Sequence, residues 1–476
     1  MDKSFLKFLL KSTKICKFLK NLLIFFINHI RLVLKGLKMI LEYSIENTFS
    51  IKEKQTISFE AAMSDSDSDN LHCKRVDNKN ILKIACLYGA NASGKTRMLK
   101  ALYFYMNFIL SSFTDLKPNE PTHFVPFLFS EETRKAPGKF ELLFYAKDCF
   151  SDKIIRYKYD LQLTEKAVIT ESLYYAPKGQ LKLLFERFSD NKIKWGFDIT
   201  GAKKNITELT RNNCSVISAG AQANNRVFKF LYNYLSKRFA GVITTSSGGL
   251  AGYTARRIDN DGKFKQKVLA LLNSADLGHI SDIQVDKEDI PDEFIKQLPP
   301  DIQEKILKQG EKPQALKMAL IHNYNQKGYD LPLSDESSGT QRLLELSAPL
   351  LDVSTDSLFL MIDELESSLH QTLVETFINL FLQASALVDN DSQLFFTTHN
   401  QELLDSGLLR DDEVWFCYKD ENGGSFYNSI SDFTGIRKEA SRKRLYQSGK
   451  FGALPNIDMT SLLEYFGAKK NKKSKE

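Results

Sequence analysis

The sequence contains few cysteines and pairs none of them at short spacing. Its 476 residues include six cysteines and no Cys-x-x-Cys pair. Zinc sites and disulfide frameworks need cysteines at recurring short spacings, so both are disfavoured. We therefore expect a reducing compartment and a cytoplasmic protein. The cysteines are Cys16, Cys73, Cys86, Cys149, Cys214 and Cys417.

Long apolar runs are also missing. In the basic first 38 residues the longest apolar run is Leu22 to Ile27, which is too short to span a bilayer. No small-residue cleavage site follows it, as a signal peptide would require. Lysines recur there at helical spacing among apolar residues, which is typical of a helix lying on a membrane or a partner. The alternative is an over-extended start, since Met39 directly precedes the first predicted strand.

Excess positive charge is confined to the two ends of the chain. The whole chain carries a formal charge of +6, the first 38 residues carry +8 and the last eight carry +4, so the body between them carries −6. Nucleic-acid-binding domains are usually basic, so the body gives no compositional support for DNA as a partner. One local basic run remains, although most such runs are solvated helix faces. It contains Arg437, Lys438, Arg442, Lys443 and Arg444.

What the chain does contain is a segment with the spacing G-x-x-x-x-G-K-[ST], by which a backbone loop wraps phosphates. It follows the apolar, β-prone run from Ile81 to Tyr88 and precedes a segment with helical spacing, so strand, loop and helix come in the required order. The pattern predicts a nucleotide site in which Lys95 reaches the outer phosphates and the Thr96 hydroxyl binds Mg²⁺. The predicted loop residues are Gly89, Ala90, Asn91, Ala92, Ser93, Gly94, Lys95 and Thr96.

A second candidate segment runs from Leu358 to Glu364, an apolar strand that ends in two carboxylates. Ligands bind at the edge of a sheet where its parallel strands end. We expect Asp363 to hold the metal through water. Glu364 would orient and polarise the attacking water, because phosphoryl transfer needs positioning and charge stabilisation. The alternative, a buried strand followed by ordinary solvated acids, loses weight beside a nucleotide-binding loop.

Two further segments are less specific by themselves. Glu336 to Arg342 is a small polar loop that opens a helix. Its Ser338 and Gly339 suit a phosphate cap, and the alternative is a helix N-cap without further function. His399 follows another buried strand, and a lone histidine is usually structural.

These four segments, in this order, resemble the head of ATP-binding-cassette ATPases, and more closely the RecF, SMC and OLD-like branch than a transporter subunit. Asn91 gives the loop the form G-x-N-x-x-G-K-[ST] that is common in that branch. The run Asp363 to His370 is similar to its Walker B segment and D-loop. Ser338 to Gln341 matches the signature loop, with Thr340 in place of the second Gly.

The resemblance implies roles for these residues. His399 would be the switch histidine that senses the γ-phosphate, and the catalytic set would be Glu364, His399 and Lys95. Ser338 and Gly339 of one protomer would close over ATP held by another. ATP and Mg²⁺ are thus the implied cofactors, and a homodimer or higher homo-oligomer is the implied assembly.

The sequence departs from this family in one respect. Such heads carry a Q-loop glutamine past the nucleotide loop, and here no Gln occurs between Thr96 and Gln162. The segment His123 to Phe127 lies where that glutamine would be sought. Neither the Q-loop residue nor the adenine-contacting residue is assigned.

Within the branch, the chain after Met39 resembles the abortive-infection ATPases of bacterial phage defence, of the AbiL and PARIS (AriA) kind. The run Phe124 to Phe127 and the run Tyr446 to Pro455 carry this likeness. Such ATPases work with a separate effector, often a TOPRIM-type nuclease, and a phage-derived trigger. Residues 400–476 are too few for the last strands of a head plus a nuclease domain, so we expect any effector to act in trans.

The predicted fold class is α/β: an ATP-binding-cassette ATPase head, with a mixed sheet around the nucleotide loop, an antiparallel β lobe and a helical insertion. Runs rich in aromatic and β-branched residues between positions 139 and 199 predict the lobe. Residues 1–38 form the basic extension and residues 39–225 the first half of the head. Residues 226–330 form a mainly helical insertion without sustained heptads, which disfavours a long coiled coil. Residues 331–476 form the second half and end in a basic tail.

The function that the sequence favours is ATP hydrolysis by a sensor or regulator subunit of an anti-phage system that controls a separate effector. A RecF-like DNA-repair ATPase is the first alternative. A nucleotide-dependent scaffold with little turnover is the second. Hydrolysis on naked DNA would favour repair, and a neighbouring nuclease gene would favour defence.

Overall fold

The structure is a computed structural model that describes residues 39–62, 71–244, 249–275, 277, 280–297, 303, 314–388, 390–437 and 439–455. The predicted extension of residues 1–38 and the basic tail of residues 469–476 lie outside the described residues. In the described part, no helix is long and apolar enough to cross a membrane.

Strands dominate the first part of the chain. They are β1 (Met39–Glu46), β2 (Gln55–Ser58), β3 (Cys73–Val76), β4 (Lys79–Leu82), β5 (Ile84–Gly89), β6 (Gly138–Lys147), β7 (Ile154–Leu163), β8 (Val168–Ala176), β9 (Lys182–Arg187) and β10 (Ile193–Trp195). The helices in this part are α1 (Lys95–Asp115), α2 (Glu131–Lys135), α3 (Lys203–Leu209), α4 (Val216–Gln222) and α5 (Arg226–Ser236).

The second part of the chain mixes strands and helices. Its strands are β11 (Phe239–Ile243), β12 (Ile280–Asp289), β13 (Gln314–Tyr324), β14 (Lys327–Pro332), β15 (Phe359–Ile362), β16 (Gln393–Thr397), β17 (Val414–Lys419) and β18 (Ser425–Ser429). Its helices are α6 (Gly249–Asn260), α7 (Gly262–Ser274), α8 (Asp292–Lys296), α9 (Ser338–Asp352), α10 (Gln371–Leu387) and α11 (Arg442–Gln447).

The first large sheet is the predicted antiparallel lobe. Its strand order is β10-β9-β8-β7-β6-β1-β2, and alternate residues of β7 are buried throughout, as expected when one face of an antiparallel sheet packs on a core. Helix α1 covers that face, where the Tyr105 ring stacks on Phe140 and Tyr159 at centroid distances of 5.1 and 5.9 Å. The aromatic runs of the sequence therefore form one packed layer against the helix that follows the nucleotide loop.

The second large sheet carries the predicted site segments. Its order is β11-β15-β16-β5-β17-β18, with β11 through β17 parallel and β18 antiparallel. Every residue of β5, β15 and β16 is buried, which explains their continuous apolar sequences. Because the strands are parallel, the loops that follow β5, β15 and β16 meet at one edge of the sheet.

These two sheets confirm the predicted mixed α/β architecture, but the interior of the chain differs from the prediction. Residues 226–330 are helical in their first half, whereas β12, β13 and β14 form a separate antiparallel sheet in the second half. β11 also belongs to the parallel sheet rather than to an insertion. β14 was missed because it is largely exposed and lacks the alternating apolar pattern of a half-buried strand. β12 and β13 do bury apolar residues, among them Ile283, Met318 and Leu320, and they were missed in spite of this.

One buried amide joins the two large sheets. Gln393 is fully buried at the start of β16, and its Nε2 donates to the backbone carbonyls of Ile40 at 2.9 Å and Leu82 at 3.1 Å. Its Oε1 accepts from the Ile40 amide and from Arg238 Nη2, both at 2.7 Å. Gln393 thus bonds both backbone groups of Ile40 in the lobe and one nitrogen of the buried Arg238 guanidinium.

We expect Gln393→Leu to destabilise the protein by about 2–4 kcal/mol, because each buried polar group that loses its partner costs roughly 1–3 kcal/mol. Thermal denaturation of the full chain measures the effect as a lowered midpoint. Gln447→Leu is the matched control, since Gln447 is exposed and bonds only Gln401 in the part of the chain described. It should change stability by no more than about 0.5 kcal/mol. Equal midpoints for the two variants would contradict the bridging role.

Candidate functional site

The nucleotide loop connects β5 to α1 and depends on two glycines. Gly94 has φ +123°, and a Cβ there would lie 2.3 Å from Ser425 Oγ. A Cβ on Gly89 would lie 2.3 Å from the Cys417 carbonyl oxygen. Any side chain at either position would therefore collide with β17 or β18, which explains why the loop needs glycine there.

β18 supports the nucleotide loop through two side-chain hydrogen bonds. Ser425 Oγ donates to the Ser93 carbonyl at 2.6 Å, and the Tyr427 hydroxyl donates to the Gly94 carbonyl at 2.8 Å. These two supporting residues were not predicted from the sequence. Nothing in the sequence of β18 marks it, because the strand reaches the loop only through its pairing with β17.

Lys95 begins α1 with its side chain turned back over the loop. Its Nζ donates to the carbonyl oxygens of Gly89 at 2.8 Å and Ala90 at 3.0 Å. Burial lowers the pKa of Lys95, and the nearby carboxylates of Asp363, Glu366 and Glu364 oppose that shift. The ammonium thus lies between the loop and a group of acids.

Asp363 ties three elements together at the end of β15. Thr96 Oγ1 lies 3.1 and 2.9 Å from its two carboxylate oxygens, and Thr397 Oγ1 donates to Oδ1 at 2.7 Å. Thr96 and Asp363 are 267 residues apart in sequence. The structure therefore brings the two predicted metal ligands into direct contact, on α1 and at the end of β15. Thr397 is a further partner that was not predicted.

Glu364 and His399 line the same cavity. Glu364 has φ +51°, and its amide donates to Thr397 Oγ1 at 2.8 Å. This left-handed backbone is uncommon for a non-glycine residue and costs energy. Partial burial and the Lys95 ammonium lower the pKa of His399, which disfavours its charged form. The His399 amide donates to Glu366 Oε1 at 2.5 Å, which links the two loops.

These groups surround a cavity of about 480 Å³. The predicted residues Asn91 to Thr96, Glu364 and His399 line it, while Gly89, Ala90 and Asp363 lie behind that lining. Side chains that were not predicted add positive charge to the wall, which suits a polyphosphate ligand. They are Arg97, Lys100 and Lys419, together with the hydroxyl of Ser50.

Ser338 and Gly339 lie outside this cavity, in the first turn of α9. Ser337 caps that helix by accepting a hydrogen bond from the Thr340 amide at 3.1 Å. A Cβ on Gly339 would lie 3.0 Å from the Ser368 carbonyl oxygen, so the turn packs against the loop that follows Glu364. The structure brings Ser338 and Gly339 close to the predicted D-loop of their own chain but not to its nucleotide loop.

The cavity has the donors that ATP and Mg²⁺ require. The nucleotide loop between Gly89 and Gly94, the Lys95 ammonium and the cationic wall suit the phosphates. The Thr96 hydroxyl and the Asp363 carboxylate are oxygen ligands of the kind that Mg²⁺ prefers. Within the described residues no three His, Cys, Asp or Glu side chains are grouped to hold a metal. Mg²⁺ needs no such group, because it usually binds one or two protein oxygens together with phosphate oxygens.

A larger cavity of about 680 Å³ lies elsewhere, between β11, α6 and α9. Its wall is mainly apolar, with Tyr253 and Arg257 bound to the carboxylate of Asp352. Arg257 is already paired with Asp352, and Asp356 adds a second acid to the wall, so this cavity suits a polyphosphate less well than the first.

Comparison with known proteins identifies the family. A family described as "AAA domain, putative AbiEii toxin, Type IV TA system" matches residues 84–405. The chain belongs to this family. The match includes the nucleotide loop, Asp363, Glu364 and His399, and it supports a nucleotide-dependent ATPase. No curated protein matches the chain.

Solved structures show a weak overall likeness to this member of the AAA-domain family. The SMC head domain from Thermotoga maritima has 13% identity and a TM-score of 0.38, with 82% of this chain and 98% of that chain covered. A SmcHead bound to the C-winged helix domain of ScpA has 11% identity and a TM-score of 0.37, with 83% and 99% covered. Such low scores carry no functional argument.

We expect Gly94→Ala to weaken ATP binding about 5- to 100-fold, because local strain of roughly 1–3 kcal/mol would be relieved by moving the loop. Titration with a fluorescent ATP analogue measures the loss. Gly201→Ala is the matched control: Gly201 also has a positive φ, of +86°, but no atom lies within 4 Å of its Cβ position. Wild-type affinity in Gly94→Ala would show that the close approach of Ser425 does not shape the loop.

Proposed function

We propose that this chain hydrolyses ATP in a Mg²⁺-dependent reaction and acts as the sensor or regulator subunit of an anti-phage abortive-infection system. The observation that carries the catalytic part is the convergence of Lys95, the Thr96–Asp363 pair, Glu364 and His399 at one edge of the parallel sheet. These side chains come from three separate loops. A purely structural role would not require them at one cavity.

Each side chain has a task that follows from its position. The Lys95 ammonium neutralises the outer phosphates, since its hydrogen-bond partners among the described residues are neutral carbonyls. Mg²⁺, when bound at Thr96 and Asp363, supplies charge stabilisation to the phosphates. Glu364 lines the cavity with an exposed carboxylate, where it orients and polarises the attacking water. The imidazole of His399 donates a hydrogen bond to the γ-phosphate.

The site is completed by a second copy of the chain. Ser338 is exposed and Gly339 half-buried, and neither lines the cavity of its own chain. In this proposal they close over the nucleotide of a partner protomer, as the ATP-binding-cassette resemblance implies. ATP binding therefore promotes a homodimer or a higher homo-oligomer.

The defence role rests on the family to which the chain belongs. The proposal of a separate effector rests on the role of β17 and β18 in the ATPase. The family description names a toxin of a type IV toxin–antitoxin system. β17 and β18 complete the parallel sheet and support the nucleotide loop, so residues up to Ser429 belong to the ATPase itself. The effector in this proposal is a separate protein, such as a TOPRIM-type nuclease, and a phage-derived molecule triggers it.

DNA is a weaker candidate partner. In the local basic run, Arg442 is paired with Asp411 and Lys443 with Glu402, and Lys438 lies outside the described residues. The paired cations are less available to phosphates than the sequence suggested. Stimulation of turnover by naked DNA would nevertheless favour the RecF-like repair alternative, and ATP binding without turnover would favour the scaffold alternative.

We expect Lys95→Ala to abolish ATP binding and Glu364→Gln to retain binding but lose turnover. The first change removes the point charge that faces the phosphates, and the second keeps the shape of Glu364 without its carboxylate. Phosphate release and nucleotide titration measure the two properties separately. Glu208→Gln, at an exposed carboxylate on α3, is the control and should behave as wild type. Equal rates for wild type and Glu364→Gln would remove Glu364 from the reaction.

A mixture of two inactive variants tests the shared site. Lys95→Ala disables nucleotide binding at the loop of one protomer, and Ser338→Arg blocks the signature loop of the other. One of the two composite sites in a mixed dimer stays intact, so mixing should restore part of the turnover. Turnover that is independent of protein concentration and never restored by mixing would place the whole site within a single chain.

A further inference from the structure

One end of the antiparallel lobe exposes three large apolar side chains. Phe150, Leu181 and Phe197 are 43%, 44% and 94% exposed. Phe150 lies in the β6–β7 hairpin, Leu181 lies in the β8–β9 hairpin, and Phe197 follows β10. Because neighbouring strands of this sheet are antiparallel, all three positions lie at the same end of the lobe. We call this end, with its three apolar side chains, the lobe tip.

Contacts through one tyrosine hold the lobe tip together. The Tyr175 ring packs on Phe150 at a centroid distance of 5.9 Å. The Tyr175 hydroxyl donates to the carboxylate of Asp198, the residue after Phe197. The backbone of Tyr175 pairs with Lys182, the first residue of β9. These contacts join both hairpins and the segment after β10 into one surface.

Four cations at the lobe tip form no ion pair among the described residues. They are Lys153, Arg156, Lys178 and Lys182. Lys153 and Arg156 line a cavity of about 570 Å³, whose wall includes one exposed acid, Asp77. Arg156 Nε is buried with no hydrogen-bond partner in the described part of the chain, and Nη2 donates to the Gly179 carbonyl at 3.4 Å. The guanidinium therefore has donors left for an anionic group.

The other acids at this end are occupied within the protein. Asp152 pairs with Lys147 at 2.6 Å. Asp148 is buried and accepts a hydrogen bond from the Ser151 hydroxyl at 2.7 Å, and Asp198 accepts from the tyrosine described above. Positive charge therefore dominates the unpaired groups of the lobe tip.

The first 38 residues join the fold at this same end. Met39 begins β1 and pairs with Tyr145 near the end of β6, and β6 leads directly into the hairpin that carries Phe150. Residues 1–38 have a net charge of +8 and lysines at helical spacing among apolar residues. Such a composition is typical of a helix on an anionic membrane. A sequence of this kind is thus attached directly to a surface with exposed apolar side chains and unpaired cations.

The lobe tip is separate from the nucleotide site. At this end Ile40 bonds Gln393 at the start of β16. The cavity residues Glu364 and His399 instead follow the ends of the parallel strands. A partner at the lobe tip therefore has a role other than completing the nucleotide cavity.

We propose that the lobe tip binds the surface of an anionic membrane. Phe150, Leu181 and Phe197 enter the boundary between headgroups and acyl chains, where exposed apolar side chains lose contact with water. The four cations bind the phosphates and carboxylates of the headgroups, and Arg156 offers its remaining donors to one of them. The basic residues 1–38 add attraction to the same membrane. This role does not depend on ATP hydrolysis.

Co-sedimentation of the full chain with lipid vesicles tests this surface. On phosphatidylcholine vesicles with about one third phosphatidylserine, we expect binding that weakens as salt rises, because exposed charges are screened over about 10 Å at 0.1 M. Vesicles of phosphatidylcholine alone should bind weakly. The double variant Leu181→Ser, Phe197→Ser should bind the mixed vesicles about 10-fold more weakly, since less apolar area enters the membrane. Its thermal midpoint should change little, because both side chains are exposed.

The double variant Leu128→Ser, Phe129→Ser is the matched control. Leu128 and Phe129 are 49% and 72% exposed. They follow Phe127, whose amide donates to Asn47 just after the end of β1, so they lie at the opposite end of the lobe. The control removes the same two types of side chain and should bind the mixed vesicles as tightly as wild type.

Phe197→Trp reports on the lobe tip without removing its apolar surface. Tryptophan is favoured at membrane interfaces, so this variant should bind the mixed vesicles and its emission should shift to shorter wavelength. Phe129→Trp should show no such shift. Trp195 and Trp415 are present in both variants, so the difference between the two spectra reports the added tryptophan alone.

The outcomes decide between a membrane and other partners. Equal vesicle binding by wild type and the Leu181→Ser, Phe197→Ser variant would overturn the lobe tip as the membrane surface, and so would the absence of a spectral shift in Phe197→Trp. Equal binding to both kinds of vesicle would overturn the preference for anionic lipid. A wild type that binds neither kind would overturn the proposal and leave the patch to a protein partner.

Discussion

The carboxylate of Asp363 is the interaction on which the rest of the site depends. It is 8% exposed and accepts hydrogen bonds from Thr96 on α1 and Thr397 on β16. A buried carboxylate is tolerated only when donors satisfy it. The start of α1, the end of β15 and the end of β16 are therefore fixed relative to one another. Lys95 and Glu364 adjoin Thr96 and Asp363, and His399 lies two residues after Thr397. Their side chains therefore converge because the Asp363 carboxylate fixes these three elements.

The elements around Asp363 explain why so much of the chain is needed to hold the nucleotide loop. β17 and β18 lie under the nucleotide loop, and their atoms leave no room for side chains at Gly89 and Gly94. On the other side, Gln393 joins the start of β16 to the antiparallel lobe. The lobe supports the loop through α1, whose Tyr105 packs into its aromatic layer. Residues as far apart in sequence as Ile40 and Tyr427 thus help to position the nucleotide loop.

Buried polar groups in this protein fall into two kinds. Gln393 uses both ends of its amide, and its neighbours gain partners from it, so its burial favours one packing of the sheets. Arg342 bonds Glu345 alone among the described residues, and its Nε and Nη2 atoms have no partner there. The first kind is explained by stability. The second kind is not explained by stability, and neither is the left-handed backbone of Glu364.

The sequence by itself was enough to predict the residues of the candidate site, because each segment of that site is a short local pattern. Each of these patterns spans fewer than a dozen residues, in the loop from Gly89 to Thr96, at the acids Asp363 and Glu364 and in the strands of the antiparallel lobe. Short patterns of this kind can be recognised from residue spacing and side-chain periodicity. Tertiary structure alone decided what supports them. Ser425, Thr397 and Gln393 act through strand pairing across long sequence distances, and a single hydroxyl or amide has no periodic signal. β14 escaped prediction because it is largely exposed and has no apolar face. The lack of partners for Nε and Nη2 of Arg342 within the described residues arises only once that side chain is buried in the fold.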